Sequence, residues 1–223
     1  GVFVKDYDRD VNAPPFAAAF GAAFGFGEET VYLSPAPLYH AAPLHWTMMA
    51  TYYGGTCVIM EKFELELALT LIEEHRVTHS QWVPTMFVRM LALPDEVRAQ
   101  YDLSSLKLAI HAAAPCPVEI KRRMIDWWGP VFLEAYGASE VGTTCSIDSV
   151  EWLAHPGSVG TADPPFEALI IGDDDQPVPP GVEGRLYFRD TTGRGVVYHN
   201  DPDQSAAAHL EPGVFTLGEM ARM

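Results

Sequence analysis

Lys107-Leu108-Ala109-Ile110-His111, then Pro117 with Ile120, Met124, Trp127 and Trp128 behind it, then Gly129-Pro130 and Val131-Phe132-Leu133-Glu134-Ala135: residues 107–135 read strand, helix, strand. The flanking pieces are short apolar runs of strand length. The middle piece repeats its apolar residues at helical spacing, with proline at its front and Gly-Pro at its back. The same alternation extends towards the N-terminus. Strands are expected near Val31–Pro35, Thr56–Met60 and Thr78–Val83. Between them Leu65, Leu69 and Ile72, flanked by Glu64, Glu66, Glu73 and Glu74, predict an amphipathic helix with Arg76 in its last turn. Pro84 opens another helix carrying Met86, Val88, Met90 and Leu91. Such alternation specifies an α/β fold, a largely parallel sheet covered by helices.

Elsewhere the texture differs. Residues 1–30 have no clean period; Asp6-Tyr7-Asp8-Arg9-Asp10 and Ala13-Pro14-Pro15 read as loop, before a small apolar patch. Residues 31–157 form the α/β subdomain. From residue 158 to 223 short strand-like runs, Ala168–Ile171, Arg185–Arg189 and Val196–Tyr198, lie between Gly, Pro and Asp clusters and predict a β-rich, barrel-like subdomain. No internal repeat is evident.

With 223 residues, 48% of them hydrophobic and 20% charged, the chain can bury a core. Thirty acidic against fourteen basic residues give a net charge of −16, which argues against nucleic acid and anionic membranes as partners. The apolar stretch Phe16–Phe26 is interrupted by glycine and too short to span a bilayer, and no secretory signal is recognisable. Cys57, Cys116 and Cys145 are widely spaced and lack metal-ligand pairing, which fits a reducing, cytoplasmic setting.

The chemistry is expected where Phe132-Leu133-Glu134-Ala135 runs out into Tyr136-Gly137-Ala138-Ser139-Glu140. Ligands of open α/β sheets collect beyond the carboxyl ends of strands. Gly137 would let a ligand approach the backbone, Ser139 could donate to a phosphate oxygen, Glu140 could hold a Mg²⁺ bridging phosphates, and Tyr136 offers a flat face to a base. The competing reading is a strand followed by a helix with Ser139 as its N-cap.

The segment resembles the Tyr-Gly-x-Thr-Glu motif of the adenylate-forming superfamily, which includes acyl-CoA synthetases, luciferase and the adenylation domains of peptide synthetases. In that family the Thr contacts the AMP phosphate and the Glu ligates magnesium; Ser139 keeps the hydroxyl. Further segments resemble family motifs in the same order. Pro37-Leu38-Tyr39-His40 is similar to Pro-Leu-Phe-His, which implies carboxylate or adenylate contact by His40. Ala112-Ala113-Ala114-Pro115 is similar to Gly-Gly-Ala-Pro, a turn that packs on adenine, with His111 at a position that is usually small and polar. His155-Pro156-Gly157-Ser158-Val159-Gly160 and Pro179-Pro180-Gly181-Val182-Glu183-Gly184-Arg185-Leu186 match structural stretches around the β-rich lobe. Phe215-Thr216-Leu217-Gly218-Glu219 is similar to Phe-x-Thr-Gly-Asp, whose carboxylate accepts the ribose hydroxyls, a role that passes to Glu219.

The resemblance implies ATP or AMP, Mg²⁺ and coenzyme A as ligands and a carboxylic acid as substrate. Trp82 and Met86, with Phe87 and Met90, are candidates for the acyl pocket or for ordinary core. The acid is expected to be fatty, with an aromatic acid as the other choice. Tyr136–Glu140 would be one wall of the site, with Ala112–Pro115, His40 and Glu219 as others. The phosphate loop ending in Pro-Lys-Gly, the ribose-contacting Arg and the Lys-bearing C-terminal domain do not occur in the sequence. The chain is therefore expected to be the middle of the family's large N-terminal domain, its β-rich part truncated, and to form no acyl-CoA by itself. Two alternatives stand beside the ligase: a non-catalytic AMP- and acyl-binding module, and an adenylating enzyme that loads a carrier protein. A homo-oligomer is left open.

Overall fold

The computed structural model describes residues 18–223. The loop readings at Asp6–Asp10 and Ala13–Pro15 and the first part of segment 1–30 lie outside the described residues. In chain order the elements are α1 (Ala18–Ala23), β1 (Val31–Ser34), α2 (Ala41–Tyr52), β2 (Thr56–Ile59), α3 (Leu65–Glu74), β3 (His79–Trp82), α4 (Pro84–Leu91), α5 (Asp95–Arg98), β4 (Leu108–His111), α6 (Val118–Trp128) and β5 (Phe132–Ala138). They continue as β6 (Gly142–Asp148), α7 (Ser149–Ala154), β7 (Thr161–Ala162), β8 (Phe166–Ile171), β9 (Gly184–Asp190), α8 (Pro202–Ala207), β10 (His209–Glu211) and β11 (Val214–Ala221). The described chain divides into two compact units, one holding residues up to Ala135 together with Ile147–Ser158, the other Tyr136–Ser146 and Val159–Met223.

The first unit is the α/β part. Its strands lie in the order β2-β1-β3-β4-β5 and pair in parallel, from Val31↔Thr56 on one side to His111↔Glu134 on the other. Neighbouring residues of a strand face opposite sides of a sheet, and here the two sides bury different clusters. Tyr32, Ile110, Leu133 and Ala135 pack with Trp46, Met49 and Ala50 of α2. Leu33, Trp82, Ala109 and Phe132 pack with Leu69 and Ile72 of α3, Phe87 and Met90 of α4 and Met124 and Trp128 of α6. Covering both faces is what lets parallel strands be apolar on both sides. Arg76 departs from expectation. Helix α3 ends at Glu74, and Arg76, in the left-handed region at φ 50°, pairs with Asp102 at 2.7 Å rather than sitting in the last turn.

The second unit is antiparallel, with β10-β11-β9-β8 side by side around a core of Ile170, Leu186, Phe188, Val196 and Phe215. The expected strand Val196–Tyr198 is irregular instead. The Val196 N–H donates to His209 Nε2 at 3.2 Å and the Tyr198 N–H to Ser205 Oγ at 2.8 Å. With those donors held by side chains, no ladder forms. No helix among the described residues is long and apolar enough to cross a membrane.

One polar group is sealed into the first unit. Lys121 of α6 is 0% exposed and donates to Glu134 Oε2 of β5 at 2.6 Å, with its ammonium 4.7 Å from the Trp152 ring. His111, also 0% exposed, lies 3.7 Å from the same carboxylate oxygen, its ring edge-on to Phe87. Burial, with the Lys121 charge adding to it, lowers the His111 pKa from 6.5 to about 3, so the ring is neutral.

Removing one member of a buried pair strands the other charge. Lys121→Met is expected to cost about 3–5 kcal/mol in urea unfolding, and adding Glu134→Leu should recover most of it. Loss below about 1 kcal/mol in the single variant would mean that the pair is solvated. His111 adds a pH dependence. Between its ordinary pKa and about 3 the unfolded chain binds a proton that the folded chain refuses. Its contribution is therefore full above pH 6.5 and is lost at about 1.4 kcal/mol per pH unit as the pH falls towards 3. Unfolding His111→Phe at about pH 7 and about pH 5 should show a shallower dependence than the native chain, and equal slopes would clear His111 of that role.

Candidate functional site

In the second unit the end of β5 turns back through Ser139-Glu140-Val141 into β6, a hairpin closed by the Val141 N–H donating to the Ala138 carbonyl at 3.2 Å. A helix capped by Ser139 does not form. Any Cβ at Gly137 would overlap the Gly142 carbonyl oxygen, so the hairpin itself requires glycine there. The turn leaves Ser139 exposed and Glu140 half-exposed, and burial of the Tyr198 phenol, with the Glu140 charge adding to it, raises the Tyr198 pKa.

Glu219 reaches the same neighbourhood through an irregularity in β11. The pairing of β11 with β9 shifts between Thr216↔Tyr187 and Met220↔Arg185, so Leu217, Gly218 and Glu219 stand opposite Leu186 alone. Thr216 organises this bulge: its hydroxyl donates to the Leu186 carbonyl at 2.7 Å and accepts the Gly218 N–H at 3.0 Å, while Gly218 takes φ 97°. Glu219, freed from the ladder, accepts the Tyr136 hydroxyl at 2.9 Å. Burial and that bond raise the Tyr136 pKa, so the phenol remains a donor at neutral pH. One oxygen of Glu219 is thereby engaged and the other is left for a hydroxyl donor.

The first unit places its candidates on two sides of the sheet. Ala112 packs with the α2-side cluster, and His40 stands exposed at the N-cap of α2, its ring 4.5 Å from that of Tyr39. Ala113, Ala114 and Pro115 follow as an exposed bend. Trp82, Met86 and His111 belong to the opposite side. Trp82 is fully buried and donates to Ser80 Oγ at 2.6 Å, Met86 lies in the α4-side core, and His111 sits beside Glu134. Strand alternation is the reason: His111 must face away from Ala112, and Glu134 away from Ala135. All three are buried among side chains of the first unit.

Among the described residues no group of three or more His, Cys, Asp or Glu side chains could hold a metal ion. A lone half-exposed carboxylate such as Glu140 does fit Mg²⁺, which usually takes one or two protein carboxylates and fills its remaining positions with water and substrate phosphate. Sequence reasoning missed Thr216, whose role depends on a register shift. It also passed over Lys121 and Glu134. Their signal was present: opposite charges occupying apolar positions of a helix and the strand after it.

Ala113 has φ 73°, where a Cβ is strained, at a position that is glycine in the resembling motif. Ala113→Gly is expected to raise stability by about 1 kcal/mol, read as a higher urea midpoint, because relief of the left-handed strain outweighs the added freedom of the unfolded chain. A lower midpoint would mean that the bend tolerates alanine without strain.

Comparison with known proteins bears on the family and the fold. The model of the AMP-binding enzyme family matches residues 13–196. Feruloyl-CoA synthase from Amycolatopsis sp is 32% identical over 193 residues, spanning 85% of this chain and 38% of that protein. Long-chain-fatty-acid–CoA ligase from Bacillus subtilis is 28% identical over 201 residues, 88% of this chain and 35% of that protein. Among solved structures, the amide bond synthetase McbA from Marinactinospora thermotolerans superposes with a TM-score of 0.80 at 24% identity over 93% of this chain and 42% of that one, a likeness of fold. The chain thus spans 38% or less of the length of these two curated relatives. With the family model covering most of its length and the motifs folded as described, the chain belongs to the AMP-binding enzyme family.

Proposed function

We propose that the whole protein is an AMP-forming acid:CoA ligase and that the second unit of this chain carries part of its nucleotide-handling surface. The observation that supports this most is the 2.9 Å bond between Tyr136 and Glu219, residues 83 positions apart that both belong to adenylate-binding motifs. In this reading the free Glu219 oxygen accepts a ribose hydroxyl, the Tyr136 ring lies against adenine, and Ser139 donates to the α-phosphate. Glu140 holds magnesium, which when bound offsets the charge of the phosphates.

The reaction then runs in two steps. A substrate carboxylate oxygen attacks the α-phosphorus of ATP, and pyrophosphate leaves with the electron pair of the broken P–O bond. The thiol of coenzyme A next attacks the acyl carbon, loses its proton, and AMP departs. The residues of this chain orient the nucleotide and neutralise charge; none is assigned as the nucleophile. An acid with a hydrophobic body, fatty or aromatic, is the proposed substrate class, supported by the CoA ligases of both kinds among the relatives. The −16 charge makes added cations necessary for such an anionic reaction.

The test is calorimetry of this chain with non-hydrolysable acyl-sulfamoyl adenosines bearing feruloyl or palmitoyl groups. Binding is expected, and Glu219→Ala should weaken it about tenfold by removing a charge-assisted hydrogen bond to ribose. Binding that ignores Glu219→Ala would overturn the assignment. In the whole protein, acid-dependent pyrophosphate release without thioester formation would point to a different acceptor.

A further inference from the structure

In an unbroken strand the residues after Thr216 would continue the ladder with β9, and the pleat would decide where Glu219 points. The register shift between Thr216↔Tyr187 and Met220↔Arg185 decides otherwise. Such a shift takes backbone groups out of the ladder, and each then needs another partner. One side chain serves two of them. The Thr216 hydroxyl donates to the Leu186 carbonyl of β9 at 2.7 Å and accepts the Gly218 N–H of β11 at 3.0 Å. Thr216 is held in turn by its own N–H, which donates at 2.9 Å to the carbonyl of Ala208, the C-cap of α8. Gly218 takes φ 97° with nothing within 4 Å of an added Cβ, so backbone conformation and not crowding calls for glycine there. Just beyond it the exposed Glu219 accepts the Tyr136 hydroxyl at 2.9 Å, and the Tyr136 ring lies tilted against that of Phe188 of β9, centroids 6.2 Å apart. All of these groups belong to the second unit.

We propose that Thr216 is the positioning residue of Glu219: its hydroxyl fixes the bulge that aims the carboxylate, and so sets how tightly the ribose of a nucleotide is held. The inference rests on the reading of Glu219 as acceptor of a ribose hydroxyl. Thr216 touches no part of the nucleotide in this scheme. Without its hydroxyl the Leu186 carbonyl and the Gly218 N–H each lose a partner, and drawing β11 back into the ladder becomes the way to replace them. A strand so straightened turns Glu219 away from Tyr136. A carboxylate already aimed need not be ordered when the ligand arrives, so the gain appears in the ribose-dependent part of binding.

The experiment is calorimetry of this chain with an acyl-sulfamoyl adenosine and with its 2′,3′-dideoxy counterpart. The quantity read is the ratio of the two affinities, and the native chain is expected to favour the ribose form. In Thr216→Val, which keeps the shape of the side chain and removes the hydroxyl, that ratio is expected to fall about tenfold, the usual scale for losing a hydrogen bond to a charged group. The affinity for the dideoxy form should stay at its native value, and Thr216→Ser should restore the ratio. Equal loss of both affinities would make Thr216 merely structural and overturn the inference. An unchanged ratio in Thr216→Val, with Glu219→Ala removing the preference for ribose, would overturn the inference and leave the reading of Glu219 intact. A native chain without that preference, or one that keeps it in Glu219→Ala, would overturn both. Should Thr216→Val not fold, Gly218→Val takes its place with the same readings, because a β-branched residue is strained at φ 97° and the position is exposed.

Discussion

The charge pair between Lys121 and Glu134 is the constraint around which the first unit is arranged. Both groups lie out of water, and a pair in that position is tolerated only when each finds the other at bonding distance. That requirement ties α6 to β5 at a fixed depth. It also fixes what lies at either end of the chain between them: the 112–115 bend before α6, and the strand exit towards Tyr136 after Glu134. Apolar residues around the pair would accept small slippage, whereas two charges do not. His111, neutral and wedged against Phe87, completes the seal.

The second unit solves a different problem, that of bringing polar groups out of a regular ladder. It does so with two interruptions of antiparallel pairing. One is a hairpin turn that requires glycine at 137, and the other is a bulge on β11 built by a threonine hydroxyl. Each leaves one carboxylate outside the ladder, Glu140 on the turn and Glu219 on the bulge, and Glu219 accepts the Tyr136 hydroxyl. A phenol suits the task because it donates without adding charge, leaving the second oxygen of Glu219 available to a hydroxylated ligand.

Much of the α/β architecture was legible because parallel strands are short apolar runs and their helices are periodic: β1 to β5 and α3, α4 and α6 fall where the sequence pattern puts them. Helix α2 was not legible, since Ala41–Tyr52 is apolar nearly throughout and shows no polar stripe to betray its period. Strand β11 was hidden by the bulge that makes it useful, and Val196–Tyr198 looked like a strand because composition says nothing of where backbone donors go. For the site, the motif residues Tyr136 and Glu219 do come together, while the face of the sheet that Trp82, Met86 and His111 occupy was not legible, because nearness in sequence to a motif does not tell which side of a strand a residue takes.

That alternation has a consequence for how such a chain can change. Ile110 on β4 with Ala112 just past its end, and Leu133 and Ala135 on β5, alternate with Ala109, His111, Phe132 and Glu134 yet look the other way. A lineage could enlarge or shrink the residues facing α2 one at a time without disturbing the buried charges. Variation on one side and invariance on the other can thus be written in adjacent letters of the same strand.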